Sequence, residues 1–129
     1  MSAAVQKTPG KIPGPDHPIT ISPAKGRVVV RFGDQVIADT RNALSLKEAS
    51  YPVVLYIPRG DADMALLRRT EHTTWCPYKG EASYYSLPGN SEAAINAIWT
   101  YETPSESVAP IASHLAFYPD RVTIEHTPD

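Results

Sequence analysis

The side chains best suited to chemistry gather at Trp75-Cys76-Pro77-Tyr78-Lys79-Gly80, around the single cysteine of the chain. A nucleophilic Cys76 would need a lowered pKa, and Lys79 or His72 is the neighbour that could provide it. On an extended strand His72 and Cys76 share a face but stand about 13 Å apart at about 3.3 Å per residue. That spacing yields neither a catalytic dyad nor shared metal ligation. A lone cysteine is more commonly buried as a small apolar side chain, and the sequence favours that fate. Asp61-Ala62-Asp63 is the only Asp-x-Asp motif. Paired carboxylates can hold magnesium for phosphoryl transfer, but they call for a rigid strand and a glycine-rich phosphate loop. Here they open an expected helix, so capping is the simpler role. His17, His72, His114 and His126 are scattered without ligand spacing, and His17 and His126 carry the least weight because they lie near the ends. No metal site and no cofactor are expected.

The tyrosines say more. There are seven of them against two phenylalanines. Tyr56, Tyr84, Tyr85, Tyr101 and Tyr118 fall on or beside expected strands, and a buried tyrosine needs a partner for its hydroxyl. Hydroxyls converging with Arg27, Arg31, Asp39, Glu48 and Lys79 would line a polar cleft that orients a small molecule. The competing reading has each tyrosine reach separately for solvent.

The elements that must position these residues are mostly strands. The 129 residues suit one domain, and the single cysteine precludes an internal disulfide or a multi-cysteine zinc site. A net charge of −2 does not favour nucleic-acid binding. No apolar run approaches the roughly 20 residues of a membrane span, and no hydrophobic leader opens the chain, so a soluble cytoplasmic protein is expected. Five of the thirteen prolines lie within residues 1–26, which read as an extended arm, ordered only where it packs on the body or a neighbour.

A single β domain is expected over residues 27–126. Arg27 to Phe32 and Gln35 to Thr40 read as a hairpin across Gly33-Asp34. Ala43 to Ala49 alternates as a half-buried strand, and Tyr51 to Ile57 reads as one buried on both faces. Asp61 to Arg69 reads as a short helix capped by Asp61, with Arg68 and Arg69 at its carboxyl end. Thr70 to Cys76, Glu81 to Leu87 and Ala94 to Glu102 read as strands, the last with Ile95, Ala97, Trp99 and Tyr101 on one face. Thr103-Pro104-Ser105-Glu106 has the pattern of a capping box opening a helix over residues 104–113. Leu115 to Tyr118 and Arg121 to Glu125 read as a closing hairpin. The sum is a mainly β, antiparallel fold of about eight strands with two short helices.

Several of these stretches resemble a bacterial family, domain-of-unknown-function family 427. They are Val28-Val29-Val30-Arg31-Phe32-Gly33, Val36-Ile37-Ala38-Asp39-Thr40 and Tyr51-Pro52-Val53-Val54-Leu55-Tyr56-Ile57-Pro58, with Trp99-Thr100-Tyr101 and Leu115-Ala116-Phe117-Tyr118-Pro119. The most specific is Cys76-Pro77-Tyr78-Lys79-Gly80-Glu81-Ala82-Ser83-Tyr84-Tyr85. The resemblance implies an Mss4-like, or β-tent, fold of two antiparallel sheets leaning together. Relatives in that group often pin the sheets with zinc held by two Cys-x-x-Cys pairs; this chain, with Cys76 alone, must rely on core packing. Family nomenclature carries a nucleotidyltransferase label, which Asp61 and Asp63 support poorly. Matching the family's motif positions singles out Asp39, Tyr56, Lys79, Tyr84, Trp99 and Tyr101 as ligand-binding residues and Cys76 as the one catalytic candidate. Three functions follow as expectations: a small-molecule-binding β domain first, an enzyme of unknown reaction second, and an interaction module, with possible self-association through the arm, third.

Overall fold

Strands over residues 80–86, 98–100 and 115–117 bury side chains on both faces, whereas those over residues 19–23, 68–76 and 123–127 leave most side chains exposed. The computed structural model describes residues 10–129; Pro9 of the arm lies outside the described residues. Ten strands form among them: β1 (Ile19–Pro23), β2 (Arg27–Phe32), β3 (Gln35–Thr40), β4 (Leu44–Glu48), β5 (Val54–Tyr56), β6 (Arg68–Cys76), β7 (Gly80–Ser86), β8 (Ile98–Thr100), β9 (Leu115–Phe117) and β10 (Thr123–Thr127). They make three antiparallel sheets, ordered β1-β4-β5, β10-β2-β3 and β6-β7-β8-β9. A bridge between Ile57 and Leu115, with both backbone hydrogen bonds formed, joins the first and third sheets edge to edge.

The joined layer has two distinct faces. Ile57, Tyr85, Leu87, Ile98, Leu115 and Phe117 project from one face and pack with Val28, Val30, Ile37 and Ala38 of the β10-β2-β3 sheet. Their neighbours in the alternation, Leu46, Tyr56, Ala82, Tyr84, Tyr101 and Ala116, project from the other face and pack with Val108 and Ile111. A mainly β fold is therefore observed, built on the expected β2–β3 hairpin and on β6 and β7 close to their expected limits. Gly26 is required where the chain turns into β2. Its φ is +94°, and a Cβ there would lie 2.1 Å from the Thr127 carbonyl oxygen at the end of β10.

The last part of the arm packs on the body: Ile19 to Pro23 pair along β4 as β1. Several local expectations are corrected. Tyr51 and Val53 are exposed, so only Val54 to Tyr56 of the expected buried strand pair with β4. Asp61 to Arg69 forms no α-helix. It makes 3₁₀ turns at Arg59–Asp61 and Met64–Leu66 without side-chain caps, and Arg68 and Arg69 already belong to β6. Asp61 instead accepts a hydrogen bond from the Thr40 hydroxyl at 2.6 Å, tying the turn to β3.

The capping box at Thr103 is also not made. A 3₁₀ segment spans Glu106–Ile111, Ser105 stands before it without a side-chain cap, and Val108 leaves helical geometry at φ −125°, ψ 26°. Pro110 lies inside this segment and cannot continue an α-helical hydrogen-bond ladder. Of the strand expected over residues 94–102 only Ile98–Thr100 forms, because Ala94 to Asn96 are taken by a turn in which Asn96 adopts φ +52°. The closing hairpin does not exist: β9 pairs β8, and β10 crosses to pair β2.

Candidate functional site

The face of the joined layer that carries tyrosines does not close completely. Across β7, β8 and β9 the register sets Tyr84 opposite Trp99 and Trp99 opposite Ala116. On β4 and β5, Leu44 stands opposite Tyr56, and Leu44, Leu46 and Glu48 alternate toward the same side. Because the Ile57–Leu115 bridge brings β5 against β9, Tyr56 arrives beside Trp99. A cavity of about 190 Å³ remains, lined by Leu46, Glu48, Tyr51, Pro52, Val54, Tyr56, Lys79, Tyr84, Trp99, Tyr101 and Tyr118.

Lys79 reaches this cavity from the loop between β6 and β7. The loop is closed by the Lys79 amide donating to the Cys76 carbonyl at 3.2 Å and held by the Ser105 amide donating to the Lys79 carbonyl at 3.0 Å. Gly80 follows with φ +107°, backbone that an L side chain rarely adopts. The Lys79 ammonium donates to Glu48 Oε1, and the pair is well buried, with side chains 10% and 14% exposed. The second Glu48 oxygen accepts from His17 Nε2 at 2.7 Å. Burial works to raise the Glu48 pKa, but the hydrogen bonds from Lys79 and His17 outweigh it and hold the carboxyl below its ordinary value. His17 also lies flat on Tyr78, with ring centroids 3.9 Å apart and an interplanar angle of 7°. The Lys11 amide donates to the Pro77 carbonyl at 2.8 Å. The described part of the arm is thus laid over the loop that carries Lys79.

The aromatic wall is organised by its own contacts. Trp99 Nε1 donates to the Tyr56 hydroxyl at 3.3 Å, and the rings meet edge to face at 6.4 Å. The Tyr84 hydroxyl is 3.0 Å from Thr74 Oγ1 and 3.5 Å from the Tyr118 hydroxyl. Trp99 and Tyr118 rings stand 4.7 Å apart. Burial pushes the Tyr56 hydroxyl up to about 12, and burial together with Tyr84 pushes Tyr118 up to about 12. The Tyr101 hydroxyl is raised further by burial, so these three hydroxyls are protonated at neutral pH. Tyr84 and Tyr118 also border a wider, open cleft of about 800 Å³ on their far side, with His72, Asn90, Asn96, Asp120 and Arg121. His72 stands against Tyr84 there, centroid to centroid 4.5 Å.

The structure therefore brings together Tyr56, Lys79, Tyr84, Trp99 and Tyr101 at one cavity. Asp39 lies elsewhere. It sits on β3 in a two-pronged ion pair with Arg27, at 2.9 and 2.6 Å, and that guanidinium holds its carboxyl below the usual range. Arg31 is likewise engaged with Glu125 at 3.1 Å, so neither arginine converges with the tyrosines. Cys76 closes β6 half-buried against the tyrosine-bearing core and does not line the cavity. Asp61 and Asp63 do not line it either, and no group of three or more acidic, histidine or cysteine side chains among the described residues is placed to hold a metal.

Glu48 and Tyr118, which the resemblance does not single out, line the cavity as well. The 44, 46, 48 alternation of β4 is the signal that points Glu48 inward. His17 had no comparable signal, since its partners are 31 and 61 positions away in sequence.

The profile of the family described as a domain of unknown function, DUF427, and named NTP_transf_9, matches residues 20–127. The chain belongs to this family. The DUF427 match begins within β1 and ends at the last residue of β10, so it takes in all three sheets and every residue of the cavity. No curated protein matches the chain. Among the described residues of this DUF427 domain no helix is long and apolar enough to cross a membrane.

Proposed function

We propose that this DUF427 domain binds a small molecule in the tyrosine-walled cavity. The observation that carries the reading is the convergence on one concave site of six aromatic side chains and a buried, hydrogen-bonded Glu48–Lys79 pair. A core filled only for stability would use phenylalanine or aliphatic residues, as the opposite face of the layer largely does. Burying several hydroxyls and an ion pair beside a void makes sense when a ligand completes their interactions. At about 190 Å³ the cavity is smaller than the roughly 300–1,000 Å³ of drug-sized sites, which points to a ligand of single-ring dimensions. We also read the joined layer and the β10-β2-β3 sheet packed against it as the two slopes of the Mss4-like tent, with aliphatic packing in the place of zinc.

A fragment library followed by NMR tests the reading. Ring-sized compounds should shift the backbone resonances of residues 54–56, 84 and 98–101. Leu46→Phe, which places a larger side chain into the cavity wall, should abolish those shifts while the remaining spectrum stays folded. Silence at these resonances across the library, or shifts indifferent to Leu46→Phe, would remove the proposal.

A further inference from the structure

Donors and acceptors around the cavity do not balance, and the imbalance names a ligand class; the inference rests on the binding reading above. Tyr101 is 6% exposed, lines the cavity, and its hydroxyl meets no hydrogen-bond partner among the described residues. The Tyr56 oxygen accepts the Trp99 N–H, but its own proton is given to no described residue. Lys79, 8% exposed, has three N–H donors and spends one on Glu48. On the acceptor side Glu48 is the only carboxylate in the lining, and its oxygens are already taken by Lys79 and His17. The Tyr101 and Tyr56 hydroxyls and the Lys79 ammonium therefore bring to the lining more donors than the described residues accept, and an acceptor carried by a ligand would use them.

We propose that the cavity takes a single planar ring bearing an exocyclic oxygen acceptor, a carboxylate or a carbonyl amide, with the Tyr101 hydroxyl donating to that oxygen. The aromatic walls supply flat apolar contact to the ring, and Tyr56 and Lys79 supply the remaining donors. Aromatic walls also suit an organic cation, and Glu48 would be its natural counter-charge. That occupant fits less well. It would bring no acceptor to Tyr101, Tyr56 or Lys79, it would stand beside the Lys79 ammonium, and the carboxylate it needs is already engaged on both oxygens.

The test compares benzoate, benzamide, toluene and benzyltrimethylammonium, titrated into the full chain and followed by NMR at residues 98–101 and the Trp99 indole. Benzoate or benzamide should bind there more tightly than toluene and the cation, and Tyr101→Phe should weaken that binding by about fivefold to tenfold. Binding by benzoate alone identifies the acceptor as a carboxylate, and by benzamide alone as a neutral carbonyl. Because Tyr101→Phe removes a hydroxyl that no described residue uses, the variant should fold as the wild type does. If toluene or the cation binds at these resonances as tightly as the oxygen-bearing probes, or if Tyr101→Phe binds benzoate and benzamide unchanged, the acceptor proposal falls while the binding reading stands. If none of the probes perturbs these resonances, the acceptor proposal falls, and the binding reading is decided by the fragment library.

Discussion

The two faces of the joined layer are made from the same strands and were folded to different ends. On β8, Ile98 goes into one core and Trp99 into the other; on β9, Leu115 and Phe117 face one way and Ala116 the other. The first face is aliphatic and fully packed, with Ile98, Leu115, Leu87, Val28 and Val30 all at 0% exposure. Its one tyrosine, Tyr85, carries its hydroxyl out to Arg59 at 2.8 Å. The second face holds Tyr56, Tyr84 and Tyr101 among eight core residues and leaves a void between them. Stability needs only the first kind of face. The contrast therefore separates the part of the molecule that holds the fold from the part available for recognition.

Substitutions can break that contrast, and the largest effect is expected on the dry side. Ile98→Ala should lower unfolding free energy by about 3 kcal/mol in urea titrations, through lost transfer energy and the cavity left behind. Lys79→Met on the wet side should cost about 2 kcal/mol by the same measurement. That is less than the loss of a fully buried pair, because Glu48 keeps His17 and some solvent.

Acid should act on the wet face too. Glu48 has a folded pKa below its ordinary value of 4.5, so the stability it contributes is present above that value and is lost as pH falls through the lower folded one. Wild type should lose more stability than Glu48→Gln on going from neutral pH to about pH 3, by an amount smaller than the Lys79→Met loss. Equal acid sensitivity of the two proteins would remove Glu48 from the account.

The smaller effects sharpen the contrast. Tyr56→Phe should cost about 1 kcal/mol by leaving the Trp99 N–H without its acceptor, and exchange of that indole proton should quicken. Thr100 goes the other way. It shares the dry face with Ile98, and its Oγ1 is buried without a partner among the described residues, so Thr100→Val should raise stability by up to about 1 kcal/mol. A loss on Thr100→Val would mean that the dry face hides a polar contact of its own.

Much of the strand framework was legible because it rests on local signals. The β2–β3 hairpin has β-branched arms around a glycine turn, and β7 alternates so regularly that Tyr84 and Tyr85 had to face opposite ways. Short helical turns do fall within both expected helices, at Met64–Leu66 and Glu106–Ile111, but their limits and caps were less legible for the complementary reason. Caps at Asp61 and Thr103 are local preferences worth about 1 kcal/mol. Pairing of Arg68 and Arg69 along β7 and the presence of Pro110 outweighed them. The closing hairpin failed likewise: Pro119-Asp120 is a plausible turn, but β10 finds an open edge on β2. Of the residues marked by resemblance, Asp39 could not be told apart from the others. A one-dimensional motif does not say which sheet a residue will face.

Sequence alone determined that this chain would be an antiparallel β domain with tyrosines where phenylalanine would serve a plain core, and it marked Lys79, Trp99 and Tyr101 for attention. Those features depend on residue type and short-range period, which survive in one dimension. Only the tertiary structure decided that five of the marked residues share a cavity, that Glu48 holds Lys79 there, and that His17 of the arm closes over Glu48. These relations join residues on different strands and loops, 31 positions apart for Lys79–Glu48 and 43 for Trp99–Tyr56. They depend on the Ile57–Leu115 bridge that fixes how the sheets meet. Such a meeting is settled by the burial of whole faces against one another, which no short stretch of sequence contains.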